Sequence, residues 1–246
     1  MRALHDIGRY FIMLGRMIAR PEKWGMYWKE YMRQMYNIGV GSVVIIAVIS
    51  VFLGAVTAVQ FSYQLSSSFV PLYYIGYIVR DMMMIELAPT FSCLILSGKV
   101  GSNIASELGS MRSTEQIDAL EIMGVNTISY LVAPKILAAV SIIPFLVILS
   151  AFLGIVGGLI ATTTTGGVPT EVFYRGLGMW FEPFNVTLML IKGVVFAFIL
   201  GSVSCFQGYY VKGGALEIGA ASTRAVVNSS ILILIADYLI AAMLLV

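Results

Sequence analysis

The chain has 246 residues, of which 59% are apolar and only 11% charged, with a formal net charge of +2. Soluble globular domains carry roughly 25% charged residues, so this chain lacks the polar surface to face water on every side, and its mean hydropathy of +0.91 agrees. The charges are also clustered: no Asp, Glu, Lys or Arg lies between Arg33 and Arg80, or from Ile136 to Thr170. A run of about 20 apolar residues crosses a hydrocarbon core of roughly 30 Å. Composition therefore excludes a soluble enzyme and predicts an all-α, multi-pass membrane protein.

In chain order, residues 1–36 read as an amphipathic helix lying in the membrane interface. Ile7, Tyr10, Phe11, Leu14, Met17 and Ile18 fall on one stripe, Arg9, Arg16 and Arg20 largely off it, and Trp24, Tyr27 and Trp28 follow. No secretory signal is expected ahead of the first span. That span covers about 39–63 and ends at the Ser66-Ser67-Ser68 break. The apolar piece Phe69–Val79 is too short to cross, and its tyrosines suit headgroup level. A second span covers about 81–98, a charged segment 99–135, and further spans about 136–162, 184–206 and 225–246. Cys93 and Cys205 fall in apolar segments and read as buried structural thiols. Gly154/Gly158 and Gly193/Ala197/Gly201 repeat small residues at four-residue spacing, which lets helices approach closely. Packing within the chain is favoured over a dimer face.

Positive charge sets the expected orientation. With the N-terminus in the cytoplasm, twelve Lys and Arg residues fall inside and two, Arg80 and Arg175, outside. That puts 99–135 in the cytoplasm and the C-terminus on the far side. Catalytic patterns are missing. The one histidine, His5, lies on the N-terminal helix, so a Ser-His hydrolase and a His-ligated metal are not expected. Gly98-Lys99 is followed by Val100 and lacks the upstream glycine of a phosphate loop. No metal, cofactor or nucleic-acid partner is predicted, and nucleotide must be bound by another subunit if it drives this protein.

Within the charged segment, Ser113 and Gln116 have the spacing of a capping box, and Gly124 suits a helix stop. The expected helix has about ten residues. Ile117, Leu120 and Met123 make one apolar edge, and Glu115, Asp118 and Glu121 decorate the rest. From spacing alone it either lies against its own bundle or plugs into a partner.

The stretch GKVGSNIASELGSMRSTEQIDALEIMGVNTISYLVAPK, residues 98–135, closely resembles the signature of the MlaE (YrbE-type) permease family. ARPEKW, QMYNIGVGS, IELAP, LIKGVVFA and STRAVVNSSILILIADY extend the resemblance over nearly the whole chain, as one permease domain over 1–246. The chain has Ile85-Glu86-Leu87-Ala88-Pro89 where family members have Arg-Glu-Leu-Gly-Pro, and Asn126-Thr127 where they have Asn/Asp-Pro. The resemblance implies a homodimer in the bacterial inner membrane, bound to ABC ATPase subunits and a periplasmic MCE-domain lipid-binding protein, with room for a small regulatory STAS-like subunit. Such complexes move phospholipid between inner and outer membranes and maintain outer-membrane asymmetry. The helix Ser113–Gly124 is similar to the coupling helix that docks into the ATPase. Glu86, Leu87, Thr57 and Lys192 correspond to a lipid cavity at the dimer interface.

Three charges lie within spans. Each costs roughly 2.5–3.5 kcal/mol on insertion scales, so Glu86, Lys192 and Asp237 must face protein or water. Counting from the span ends at 1.5 Å per residue puts Lys192 about 12 Å deep, Asp237 about 13–14 Å and Glu86 about 8 Å. Depth predicts a Lys192–Asp237 ion pair and leaves Glu86 as a cavity residue; a Glu86–Lys192 pair is the other reading. Pro89 removes the hydrogen bond to the Ile85 carbonyl and predicts a kink. An ion-coupled carrier that uses the three charges as a relay is the alternative to a partner-driven permease.

Overall fold

A computed structural model describes residues 2–19, 24–66 and 70–244. In lipid every backbone polar group must be satisfied within its own segment, which leaves helices for runs this apolar. Helix α1 is Arg2–Ala19 and α2 is Trp24–Ser66. Helix α3 runs without a break over Tyr74–Ser113. A short α4, Gln116–Ile122, precedes α5, Ile128–Thr164. Helices α6 (Thr170–Gly178), α7 (Pro183–Tyr209) and α8 (Ala215–Leu244) complete the chain. Five of these, α2, α3, α5, α7 and α8, are long and apolar enough to cross a membrane.

The predicted interfacial segment 1–36 is divided. Only α1 lies on the surface of the bundle, and residues 24–36 form the first turns of α2. Pro21, which has no amide proton and disfavours helix at the residue before it, falls between the two helices in sequence. On α1, Met13 is buried and Tyr10, Leu14 and Met17 pack beside it, whereas Ile7 and Phe11 are exposed, as on a helix bedded in the membrane interface. The Tyr10 hydroxyl meets Ser202 Oγ at 2.7 Å and the Arg9 guanidinium lies over the Tyr210 ring, which fixes α1 against the end of α7. The Ile18 and Trp24 side chains, Arg20, Lys23 and Ser67-Ser68 lie outside the described residues.

The second span differs most from its predicted bounds of 81–98. Helix α3 begins at Tyr74 and continues through Lys99 to Ser113. Two π-helical stretches, Met83–Phe91 and Ser97–Gly101, take up Pro89 and the two glycines without ending the helix. The Lys99 ammonium donates to the Gly41 carbonyl of α2. At the start of α3, the buried Arg80 donates to the Leu177, Met179 and Trp180 carbonyls at 2.6, 2.9 and 3.2 Å and pairs with Asp81 at 2.8 Å. These bonds satisfy carbonyls at and beyond the end of α6, and Tyr74 and Tyr77 stack around Trp180.

Helices α2 and α5 share the closest seam. A Cβ on Gly54 would stand 1.7 Å from the Gly154 carbonyl oxygen, and one on Gly157 would stand 2.2 Å from that of Val51. Ser50 and Ser150 hydroxyls bond across it at 2.7 Å, and Tyr31 donates to Ser141 at 2.9 Å. The small residues of α7 also pack inside the chain, Gly193 on Pro144 and Gly201 on Ile136. Outward faces stay apolar, with Val44, Phe52, Phe145 and Phe152 exposed, the surface a bilayer covers.

Gly157→Val should force this seam apart and cost about 1–3 kcal/mol or more. The expected result is a lower melting temperature of the detergent-solubilised protein, read by fluorescence-detected gel filtration. Gly219→Ala, in open space on α8, should leave it unchanged. An equal melting temperature for Gly157→Val would show the seam to be slack.

Candidate functional site

The three intramembrane charges meet at one point. Lys192 on α7 has no solvent-accessible surface, and its Nζ lies 3.0 Å from Glu86 Oε2 on α3 and 2.5 Å from Asp237 Oδ1 on α8. Nζ also donates to the Ile85 carbonyl at 3.0 Å. That carbonyl would have the Pro89 nitrogen as its α-helical donor, and proline has no proton to give. Asp237 Oδ2 accepts the Thr90 hydroxyl at 3.1 Å.

Glu86 therefore has a partner at its own depth. Counting from Arg80 makes it too shallow, because α3 begins at Tyr74, six residues or about 9 Å earlier. Both readings of the charge pattern coexist, one lysine serving two carboxylates. Asp237 is almost enclosed, but about half of the Glu86 side chain is exposed, at 46%. A carboxylate cannot face lipid tails at such depth without large cost, so its open side requires water, a polar ligand or another protein surface.

The other cavity residues stand apart from this cluster. Thr57 on α2 is buried and its hydroxyl donates at 2.7 Å to Leu53 O in the preceding turn. Leu87 packs at the edge of the apolar core. Pro89 sits within the π-helical stretch, one turn from Glu86. Thr90 was not singled out by sequence, whereas the Ile85 carbonyl, left without its amide donor by Pro89, was. Thr90 stands four residues after Glu86, a spacing that puts both on one helix face, and that signal was available.

At the end of the bundle that carries α1, the connecting segment differs from its predicted form. Ser113 is the last residue of α3 and not a cap, so no capping box forms. Helix α4 has 7 residues rather than about ten, and it starts from Glu115 in the left-handed region at φ 59°. Its far end is a Schellman stop: Gly124 at φ 81° donates to Glu121 O at 3.0 Å and Val125 to Leu120 O at 3.1 Å. Ile117 is buried and Leu120 half-buried against the bundle, but Met123 points out beside Ile122. Gln116 is exposed, and Asp118 pairs with Arg112 at 2.7 Å. Glu121 is exposed, but its Oε1 accepts Thr127 Oγ1 at 3.1 Å and Tyr209 Oη at 3.0 Å. Thr127 and Tyr209 hydroxyls are themselves 2.7 Å apart. Helix α4 is thus bolted to the last residue of α7, the helix that carries Lys192.

Residues 31–243 match the family described as permease MlaE. The chain belongs to that family. A probable ABC transporter permease protein of Rickettsia bellii is 37% identical over 240 residues, covering 98% of this chain and 92% of its own length. The intermembrane phospholipid transport system permease protein MlaE of Haemophilus influenzae is 30% identical over 246 residues, 99% of this chain and 92% of the relative. A chloroplastic protein of Arabidopsis thaliana, trigalactosyldiacylglycerol 1, is 28% identical over 94% of this chain and 66% of its own. The chain is accordingly a multi-pass membrane protein of the transporter-permease type.

Lys192→Met should leave two carboxylates without a cation and destabilise the fold by about 3–5 kcal/mol, as breaking a buried ion pair does. Lys192→Met combined with Asp237→Asn and Glu86→Gln should recover much of the loss, measured as melting temperature in detergent. A single variant as stable as wild type would mean that the cluster carries no structural charge pairing.

Proposed function

We propose that this chain is the membrane subunit of an ABC transporter that carries phospholipid between the inner and outer membranes of a bacterial cell and thereby maintains outer-membrane asymmetry. The half-exposed Glu86 carboxylate carries the reading. It is a polar group held open at mid-span on an otherwise apolar surface, and a second copy of the chain facing it would enclose a cavity with an apolar wall and a charged patch. In that cavity Leu87 and Thr57 line the acyl path. Glu86, held in place by Lys192, faces the lipid headgroup. The name of the Haemophilus influenzae relative supports phospholipid as cargo.

The chain does no covalent chemistry in this scheme. ATP is hydrolysed by a partner ATPase that docks on the exposed edge of α4, where Gln116, Ile122 and Met123 face out. Movement of α4 reaches α7 through Glu121, Thr127 and Tyr209, and so reaches Lys192. The α1 end is cytoplasmic on the count of twelve cations against two, which puts the loop between α5 and α7 in the periplasm, beside an MCE-domain protein. A STAS-like subunit would join the complex from the cytoplasmic side.

Glu86→Lys should leave the complex assembled but lower ATP-dependent lipid transfer between liposomes by roughly tenfold, the loss of about 1.4 kcal/mol of headgroup interaction. Transfer at the wild-type rate would sink the cavity assignment. Transfer that follows a proton gradient and ignores the ATPase would establish the ion-coupled alternative instead. Ile122→Asp with Met123→Asp should reduce co-purification of the ATPase severalfold. Tyr209→Phe should keep the ATPase bound yet lower transport per ATP hydrolysed. An ATPase bound equally well to the Asp variant would rule out docking at α4.

A further inference from the structure

A groove of about 580 Å³ lies between α1, α7 and α8. Its wall is apolar, built from Ile7 of α1, Val203 and Phe206 of α7, and Ile231, Ile235 and Leu239 of α8. From Asn228 to Leu239 it follows α8 for about 16 Å, close to one leaflet of a hydrocarbon core roughly 30 Å thick. At the α1 end the groove opens into a polar hollow that shares Asp6, Ile7, Phe206, Gln207 and Asn228 with it. Arg9, Lys212 and Arg224 line that hollow, together with the carboxylates of Asp6 and Glu217.

Three cations against two carboxylates leave one net positive charge at the mouth. Among the described residues, none of the three cations forms an ion pair. Arg9 rests on the Tyr210 ring, 4.0 Å from its centre. Basic pockets at the ends of spanning helices bind anionic lipid headgroups. A slot that is apolar for the length of a leaflet and cationic at its end has the charge profile of one amphiphile laid lengthwise.

We propose that this groove is a fixed site for a single anionic glycerophospholipid of the phosphatidylglycerol type. One acyl chain lies along α8, and the phosphate meets Lys212 and Arg224. The lipid completes the contact of α1 with α7 and α8. The site shares no side chain with the Glu86–Lys192–Asp237 cluster, so its occupant is structural and not cargo, and either site stands if the other fails.

The test uses the permease purified with its partner subunits, delipidated in detergent and supplied with dioleoylphosphatidylglycerol or dioleoylphosphatidylcholine. Phosphatidylglycerol should raise the melting temperature by several degrees more than phosphatidylcholine and remain bound in native mass spectra. Lys212→Gln with Arg224→Gln should abolish that difference. Ile235→Trp, which fills the groove and leaves the charges alone, should abolish it as well. Glu86→Lys should retain it in full. Equal shifts from the two lipids would overturn the proposal, as would wild-type retention of phosphatidylglycerol by both groove variants. A change in the number of permease copies per complex in Ile235→Trp would also overturn it, by showing the groove to be a contact between copies.

Discussion

Lys192 lies with no access to solvent, and the interior of the bundle is arranged around it. A charge at this depth is costly unless opposite charge and hydrogen-bond acceptors surround it. Glu86, Asp237 and the Ile85 carbonyl supply them from α3 and α8. One side chain thus fixes the relative depth of three spanning helices, α3, α7 and α8. Pro89 contributes by what it lacks, since the missing amide proton leaves a carbonyl for the ammonium to use. The π-helical stretch around it keeps α3 continuous while its side-chain register shifts.

Much of this was legible in the sequence, and the limits have physical causes. Five spans were readable because an apolar run of sufficient length has few alternatives in lipid. Their ends were not, because Tyr, Ser, Gly and Lys at a membrane surface suit a helix as well as a loop. Helix α3 shows this, running from Tyr74 past Gly98, Lys99 and Gly101 to Ser113. The misplaced start propagated into the site, making Glu86 too shallow to meet Lys192. At α4, Ser113 and Gln116 had the spacing of a cap, but spacing does not reveal that the preceding helix already uses Ser113. The bond that ties Glu121 to α7 depends on Tyr209, distant in sequence and brought near only by the fold.

Three polar connections to other helices end on α7. Its far end receives α4 through Glu121 and Tyr209, its middle carries Lys192, and its lower half supports α1 through Ser202. Helix α8 is gripped differently, by Asp237 on Lys192 and by Ser229 on Ser97 at 2.6 Å. Charge and hydroxyl contacts of this kind are discrete, and a small displacement exchanges one partner for another.

The glycine seam between α2 and α5 has the opposite character. Where a Cβ would stand 1.7 Å from a neighbouring carbonyl oxygen, backbone lies on backbone, and neither helix can slide without first climbing away from the other. Such a joint does not shear. Helices α2 and α5 therefore travel as a single strut, and a change in the shape of the protein has to be taken up along the seams of α3, α7 and α8. The seam of the stiff half is joined by glycines and hydroxyls, with its buried cation, Lys135, paired to Glu107 of α3 near the start of α5. The half that can be rearranged is the one that holds Glu86, Lys192 and Asp237.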